Sequence, residues 1–500
     1  MESTSQLLPE GKGKELMTEA DEVKLEIAED TNKVEMEHQF REQESIYEYA
    51  RSIVERAKGK CALYRVHSGL RDGSAKHYEP VIVSIGPYHH GKTPFQDMEE
   101  HKEHYLRELL RRVKENNAER YVEALKNEKR EPQALHCYVD IFKMDVDSFG
   151  RCMVLDGFFM IEFFRGKWAH DKKNNMLFNR RWLKPLLKRD MLLFENQIPL
   201  FVLRALFALT EERPDTDRDF VKLALGLFSF NGERIPHDEI EIDRLDDIPH
   251  LLGLVYKALV VRKRKSFEPE TLKQQNRRWK SLFEYLINKW SPFEKIMKDL
   301  DPGTPKRPYN RRRKSWEPIW TAVALKQVGV KFQRAKHCKA FYDITFSNGV
   351  MRIPRLEIYD STESFFRNLV AYEQHSKQYI PQQVADYLQV MDCLINTSKD
   401  VELLRHYRII DNRIGNDEKV STMFNRLCSG VSFVREMFLY TQMFDEVNKF
   451  CNNPWNKRMT KLNNEYFGSP WALISFMAAA LLLLLTALQT VYSPLSYYHP

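Results

Sequence analysis

Gly86-Pro-Tyr-His-His-Gly91-Lys92-Thr93 matches letter for letter the G-x-x-x-x-G-K-[S/T] spacing of a phosphate loop. In that motif backbone amides cradle a nucleotide's phosphates where a helix begins, and the lysine ammonium reaches the terminal ones. Downstream, Cys152-Met-Val-Leu-Asp156 resembles the apolar strand whose last carboxylate holds magnesium. Pro94 speaks against this reading, because it removes one amide donor and biases Thr93 away from helical backbone. Tyr88, His89 and His90 are also bulky for a loop that must wrap closely. Gly86, Gly91, Lys92, Thr93 and Asp156 therefore read as a phosphate-loop lookalike, with a nucleotide-binding enzyme as the alternative.

Other chemistry-bearing residues are weaker signals. His89-His90, His101-x-x-His104, His136-Cys137 and His337-Cys338 lack the spaced pairs of a four-ligand zinc site, and packed or surface histidines account for them. Glu162 and Glu195-Asn-Gln197 sit within very apolar runs, where burial can raise a carboxyl pKa into the range of acid/base work. Hydrogen-bonded core groups beside the break at Pro199 are the simpler reading. No G-x-S-x-G, H-E-x-x-H or G-x-G-x-x-G occurs. The pattern points to no catalytic residue, no metal and no cofactor.

These residues depend on elements that periodicity predicts. Ile46, Ala50, Ile53, Val54 and Ala57 share one face of a helix that begins near Ser45 and stops at Gly59. Pro80-Val-Ile-Val-Ser-Ile85 reads as a strand closed by the Gly86-Pro87 turn. A long helix follows from Asp97, with Met98, His101, Tyr105, Leu109 and Val113 on one stripe. The apolar blocks 153–164 and 191–209 are broken by charge or by Pro199, so they are buried helices rather than membrane spans. Beyond a Pro/Arg-rich linker at 301–318, alternation over 341–346 and 350–353 suggests a small sheet. Amphipathic helices resume at Ser361 and run to about Phe450.

Five hundred residues at 43% apolar content suffice for a large core. The net charge of +7 is uneven: residues 1–44 hold thirteen Asp/Glu against five Lys/Arg, a balance of −8 that leaves +15 for the rest. That tail reads as disordered, although Leu16, Ala20, Val23 and Ile27 could order on a partner. Seven scattered cysteines without a Cys-x-x-Cys pair argue for reduced thiols. The N-terminus has no secretory signal pattern.

Residues 471–491 carry no charge, and a bilayer's hydrocarbon core needs ~20 such helical residues. Lys449, Lys457, Arg458 and Lys461 precede this stretch, and none of Lys or Arg lies in 492–500. The bias predicts a tail anchor with the large N-terminal part in the cytosol, which would leave the sequon at Asn396 unused. Basic clusters at 262–265 and 311–314 then read as loops or headgroup contacts, and no nucleic-acid partner is expected.

A resemblance accompanies these readings. It is carried by Leu63-Tyr-Arg-Val, Tyr78-Glu-Pro-Val-Ile-Val-Ser-Ile-Gly-Pro-Tyr-His-His-Gly-Lys92 and Met98-Glu-Glu-His-Lys-Glu-His-Tyr-Leu106. Val154-Leu-Asp-Gly157, Asp190-Met-Leu-Leu-Phe-Glu-Asn-Gln-Ile-Pro-Leu-Phe201, Ala324-Leu-Lys-Gln-Val-Gly-Val-Lys-Phe332, Thr362-Glu-Ser-Phe-Phe-Arg-Asn-Leu-Val-Ala-Tyr-Glu-Gln374 and Leu394-Ile-Asn-Thr397 follow in order. With these motifs the chain resembles the plant family called domain of unknown function 247. Two positions depart from the pattern: His67 stands where Pro is expected, and Phe158 where Cys is usual. The resemblance implies a mainly helical domain with a C-terminal membrane segment and no established catalytic residue. It also implies that some relatives act in self/non-self recognition in grass pollination.

The expected architecture is mainly α with a minor β element: a multi-helix globular domain plus one C-terminal transmembrane helix. Its parts are an acidic tail at 1–45, the domain at 46–465 in up to two lobes about the 301–318 linker, the anchor at 471–491 and a short tail at 492–500. The expected role is protein interaction or signalling at a membrane surface, with the lipid bilayer and an unknown protein as partners.

Overall fold

Val146–Arg165 forms a twenty-residue helix because no proline interrupts it, burial of its apolar run outweighs Gly150 and Gly157, and both ends are capped. Asp145 Oδ1 accepts the amide of Ser148 at 2.9 Å, and Gly166 closes the other end in left-handed backbone. Its sequence is apolar around most of its circumference, so it is buried on most sides. In this computed structural model the described residues are 44–56, 63–126, 133–139, 144–166, 182–211, 216–238, 240–260, 317–336, 338, 340–376, 382–433, 437–454 and, within 474–488, all but 476, 480 and 487.

The chain divides into two compact units that exchange segments along the sequence. The first comprises residues 1–65, 79–228 and 241–254, and the second 66–78, 229–240 and 255–500. The 301–318 linker lies almost wholly outside the described residues, as do the acidic tail and the basic clusters at 262–265 and 311–314.

In the first unit the central helix packs against Gln96–Arg112 and Leu200–Ala208. Gly157 sets the second approach, since a Cβ there would stand 2.4 Å from Leu206 Cδ1. Asp217–Gly226 packs against both, its Phe220 ring 5.7 Å from that of Phe207 and 6.4 Å from that of Phe164. Residues 44–56 are helical, and Ile46, Ala50, Ile53 and Val54 are buried as their spacing predicts. Buried Arg204 meets Asp217 through two hydrogen bonds of 2.8 and 2.6 Å and Asp246 through one of 2.6 Å.

In the second unit, strands Lys331–Arg334, Val350–Ile353 and Thr345–Ser347 form a sheet in that spatial order, the first pair parallel and the second antiparallel. Asn348 and Gly349 make the hairpin turn, both at positive φ (51° and 75°), the geometry that a two-residue turn requires. Leu356–Ile358 pairs in parallel with Ile410–Asn412. Helices Thr362–His375, Gln383–Leu394, Ser398–His406, Asp417–Leu427 and Thr441–Asn452 supply the rest of this core. The mainly helical expectation with a minor β element is met.

Two expectations change. Pro80–Ile85 is not a strand: the backbone bends at Val81 and Ile82, and side chains take its amides in place of a sheet neighbour. The block 191–209 is helical only from Leu200, with Pro199 as its N-cap. The block 153–164, by contrast, is a buried helix as expected, so Cys152–Asp156 lies in a helix and not in the strand that the phosphate-loop lookalike would need. As for the anchor, no helix among the described residues is long and apolar enough to cross a membrane. The 471–491 segment is described only in part, as helical turns at 474–475, 477–479, 481–486 and 488.

Glu373 ties the second unit together from within. It accepts the Tyr256 hydroxyl at 2.7 Å and the amides of Val384 and Ala385 at 2.8 and 2.9 Å, satisfying the first turn of Gln383–Leu394. Burial pushes its carboxyl up to about 7, and burial pushes Asp386, which accepts the Leu439 amide, up to about 6. Both folded-state values lie above the ordinary 4.5 and 3.8. As pH rises from about 4 the unfolded chain sheds these protons first, so stability falls until about pH 7 and then levels off. Glu373→Gln should remove its share, on the order of 3 kcal/mol. The full chain's unfolding temperature from pH 4.5 to 8 should therefore decline less in that variant; an unchanged slope would refute the assignment.

Candidate functional site

The residues that could do chemistry converge where the irregular segment after Tyr78 meets the stretch 190–197 of the first unit. Asp190 ends the helix Leu183–Asp190 fully buried. Its Oδ2 accepts three consecutive amides, those of Val81 (2.9 Å), Ile82 (2.7 Å) and Val83 (3.1 Å). Oδ1 pairs with Arg189 at 2.7 Å, and that guanidinium also donates to the Glu79 carbonyl. Burial raises the Asp190 carboxyl, opposed by the Ile82 amide, Arg189 and the other two amides.

Asn196 continues the work of a strand partner. Its Oδ1 accepts the Ile85 amide at 2.7 Å, and its Nδ2 donates to the carbonyls of Val83 (2.9 Å) and Asp190 (3.0 Å). Gln197 Nε2 donates to Met191 and Leu193 carbonyls at 2.7 and 2.8 Å while its Oε1 accepts the Leu252 amide. Buried backbone must find partners, and here carboxylate and carboxamide groups supply them in place of a ladder.

At Gly86 the chain turns into left-handed backbone (φ 73°) and its amide donates to Asp156 Oδ2 at 2.7 Å. A Cβ there would stand 2.6 Å from the Gln197 carbonyl, so glycine is required twice over. Asp156 Oδ1 receives Lys102 Nζ at 2.5 Å. The same ammonium, 0% exposed, donates to the Ser84 carbonyl (2.5 Å) and to Glu99 (2.6 Å). Burial favours the neutral amine, but Asp156 and Glu99 outweigh it and hold the lysine above its usual pKa. Burial and then the charge of Asp156 raise Glu99. Cys152 lies 3.4 Å from Asp156 Oδ2, and burial and that charge keep its thiol protonated. A protonated, enclosed thiol is a poor nucleophile.

Of the sequence-predicted residues, the structure joins Gly86 to Asp156 but spends both on internal bonds. Gly91 is left-handed (φ 73°), Lys92 is exposed with its Nζ 3.0 Å from His89 Nδ1, and Thr93 opens a single 3-10 turn through Phe95 before the helix Gln96–Arg112 begins. Pro94 sits in the first positions of that turn, where a missing amide costs least. Buried His89 faces buried Glu195 with Nε2 and Oε2 3.8 Å apart. Glu162 is paired with Arg112 and Arg165; burial raises its pKa, but those hydrogen bonds prevail and its carboxyl stays below the usual range. Among the described residues no group of three or more His, Cys, Asp or Glu is placed to hold a metal, and every described cysteine is a free thiol. His337 lies outside the described residues.

Sequence reasoning missed Lys102 and the roles of Asp190 and Asn196. Lys102 falls between Met98, Tyr105 and Leu109 on the buried stripe, and a lysine at that spacing signals a paired charge inside the core.

A mainly helical protein of two units, with its most motif-dense segment used as a polar clasp, is the class this geometry defines. The chain belongs to the family DUF247, described as "Plant protein of unknown function", which matches residues 63–485. It is 27% identical over 447 residues to "UPF0481 protein At3g47200" of Arabidopsis thaliana, covering 88% of this chain and 87% of that protein. It is 25% identical over 479 residues to "Putative UPF0481 protein At3g02645" of the same plant, covering 86% and 89%. No solved structure matches.

Removing one member of a buried ion pair strands the other, so Lys102→Met should cost about 3–5 kcal/mol. Adding Asp156→Asn, which keeps an oxygen for the Gly86 amide, should recover about 1–3 kcal/mol relative to additivity. Urea unfolding of the four members of this cycle measures the coupling, and strict additivity would rule out the pairing.

Proposed function

We propose that the protein is a membrane-held plant component that works by binding partners rather than by catalysis, anchored through 471–491 with its large N-terminal part in the cytosol. One observation carries the reading. In the helical turns at 474–488, Ile474, Met477, Leu481 to Leu485 and Leu488 are each between 46% and 73% exposed. So dense an apolar surface is unfavourable in water and is covered by a bilayer's hydrocarbon region. The enclosed state of Asp156, Lys102, Cys152 and Asp190 supports the non-catalytic half, because each already serves the fold. The recognition and signalling roles implied by the family resemblance require only such a tethered surface.

A second reading, nucleotide binding at Gly86–Thr93, is favoured by one feature: Lys92 and Thr93 are exposed beside left-handed Gly91. Magnesium-dependent nucleotide binding by the full chain and by Lys92→Ala separates the two readings. Saturable binding lost in the variant would establish the second, and equal, negligible binding by both supports the first.

For the anchor, translation into microsomes with a sequon appended after Pro500 gives the decisive result. The appended site should be glycosylated, Asn396 should not, and alkaline extraction should leave the full chain in the pellet. Modification of Asn396 alone would reverse the topology, and release of the full chain by alkali would refute anchoring.

A further inference from the structure

The second unit carries a concentration of positive charge that no single stretch of sequence displays. Where the strand Lys331–Arg334 ends near the C-terminus of Ser398–His406, two hollows of about 710 and 880 Å³ share Arg334, His406 and Arg408 in their walls. Arg355 and Arg405 line the first, and Lys336 and Arg352 the second. Six cations thus face three acids, Glu402, Asp411 and Asp343.

Part of this charge is internally balanced. Arg355 pairs with Asp411 and, at 2.9 Å, with Glu357, while Arg405 pairs with Asp417 at 2.7 Å. Arg352 donates to the Ser347 hydroxyl at 3.0 Å. For Arg334, Lys336 and Arg408, no carboxylate among the described residues lies within ion-pair distance. Basic side chains at a helix C-terminus offset its dipole, which explains Arg405 and His406. That explanation does not extend to Arg334 and Lys336, which stand on and just past a strand.

Backbone geometry adds an independent sign. Arg408 is left-handed (φ 58°), with its amide on the Arg405 carbonyl at 2.8 Å and the Ile409 amide on the Leu404 carbonyl at 2.9 Å. This is the helix-ending turn in which glycine is the unstrained residue. An arginine held there sets an exposed guanidinium in the wall of both hollows at a cost in backbone strain.

We propose that this basic hollow binds a small anion bearing several phosphates, of the inositol polyphosphate type. Three unbalanced cations call for more than one negative charge on the ligand, and guanidinium forks match phosphate oxygens in pairs. The space exceeds what a single inorganic phosphate fills and accommodates a ring carrying phosphates. The same chemistry is presented by a free inositol polyphosphate and by a phosphoinositide headgroup. The inference stands apart from the anchor and from the clasp of the first unit.

Titration calorimetry of the detergent-solubilised full chain with inositol hexakisphosphate, and in parallel with short-chain phosphatidylinositol bisphosphate, tests it. Saturable, salt-sensitive binding of either supports the site, the tighter ligand naming the source. Arg334→Gln should weaken binding about tenfold. Arg408→Gly should weaken it similarly while raising the unfolding temperature, since it relieves the left-handed arginine. Failure of the wild-type chain to bind either ligand, or undiminished binding by both variants, would overturn the proposal.

Discussion

The first unit depends on one constraint: a segment of irregular backbone enters the core from an exposed start at Val81, with no strand beside it. Val83, Ile85 and Gly86 are buried, and Ile82 is half-buried, so their amides must be placed, and an unpaired buried amide costs about 1–3 kcal/mol. Asp190, Asn196 and Asp156 take those amides, so side chains from 190–197 and from the central helix substitute for a sheet edge. Their own charges then need balance, which Arg189 and Lys102 provide. Lys102 is held in the buried interior because three oxygens, of Ser84, Glu99 and Asp156, converge on it.

This constraint accounts for the phosphate-loop lookalike. Gly86 is glycine because the chain reverses there against the Gln197 carbonyl, which suffices without any ligand. His89 is buried beside Glu195, which leaves Lys92 as the solvent-facing end of the motif. A letter pattern records which residues a turn tolerates. Whether the amides face a ligand or a carboxylate of the same chain depends on contacts that lie seventy residues downstream.

The helices were legible wherever apolar spacing and caps agreed. Ile46 through Val54, the Met98, Tyr105 and Leu109 positions of the long helix and the apolar block 153–164 fold as their periodicity predicts. Pro80–Ile85 misled because β-branched apolar residues also fit an irregular segment whose amides bond to side chains rather than to a neighbouring strand. Asp190 and Asn196 carry no local mark of their role, which exists only once segments about 110 positions apart meet. Likewise the basic hollow draws on residues from 334 to 408, separated along the chain by a hairpin and three helices. Charge runs catch contiguous clusters and miss those that folding assembles.

A side-chain clasp and a solvent-exposed loop differ most directly in how their amides exchange with water. Hydrogen exchange of the full chain, read at Ile82, Val83, Ile85 and Gly86, measures this difference. If Asp190, Asn196 and Asp156 hold these amides in the core, they should exchange as slowly as those in the middle of Val146–Arg165, although they belong to neither helix nor sheet. Exchange at the rate of an open loop, with the helix amides still protected, would contradict it.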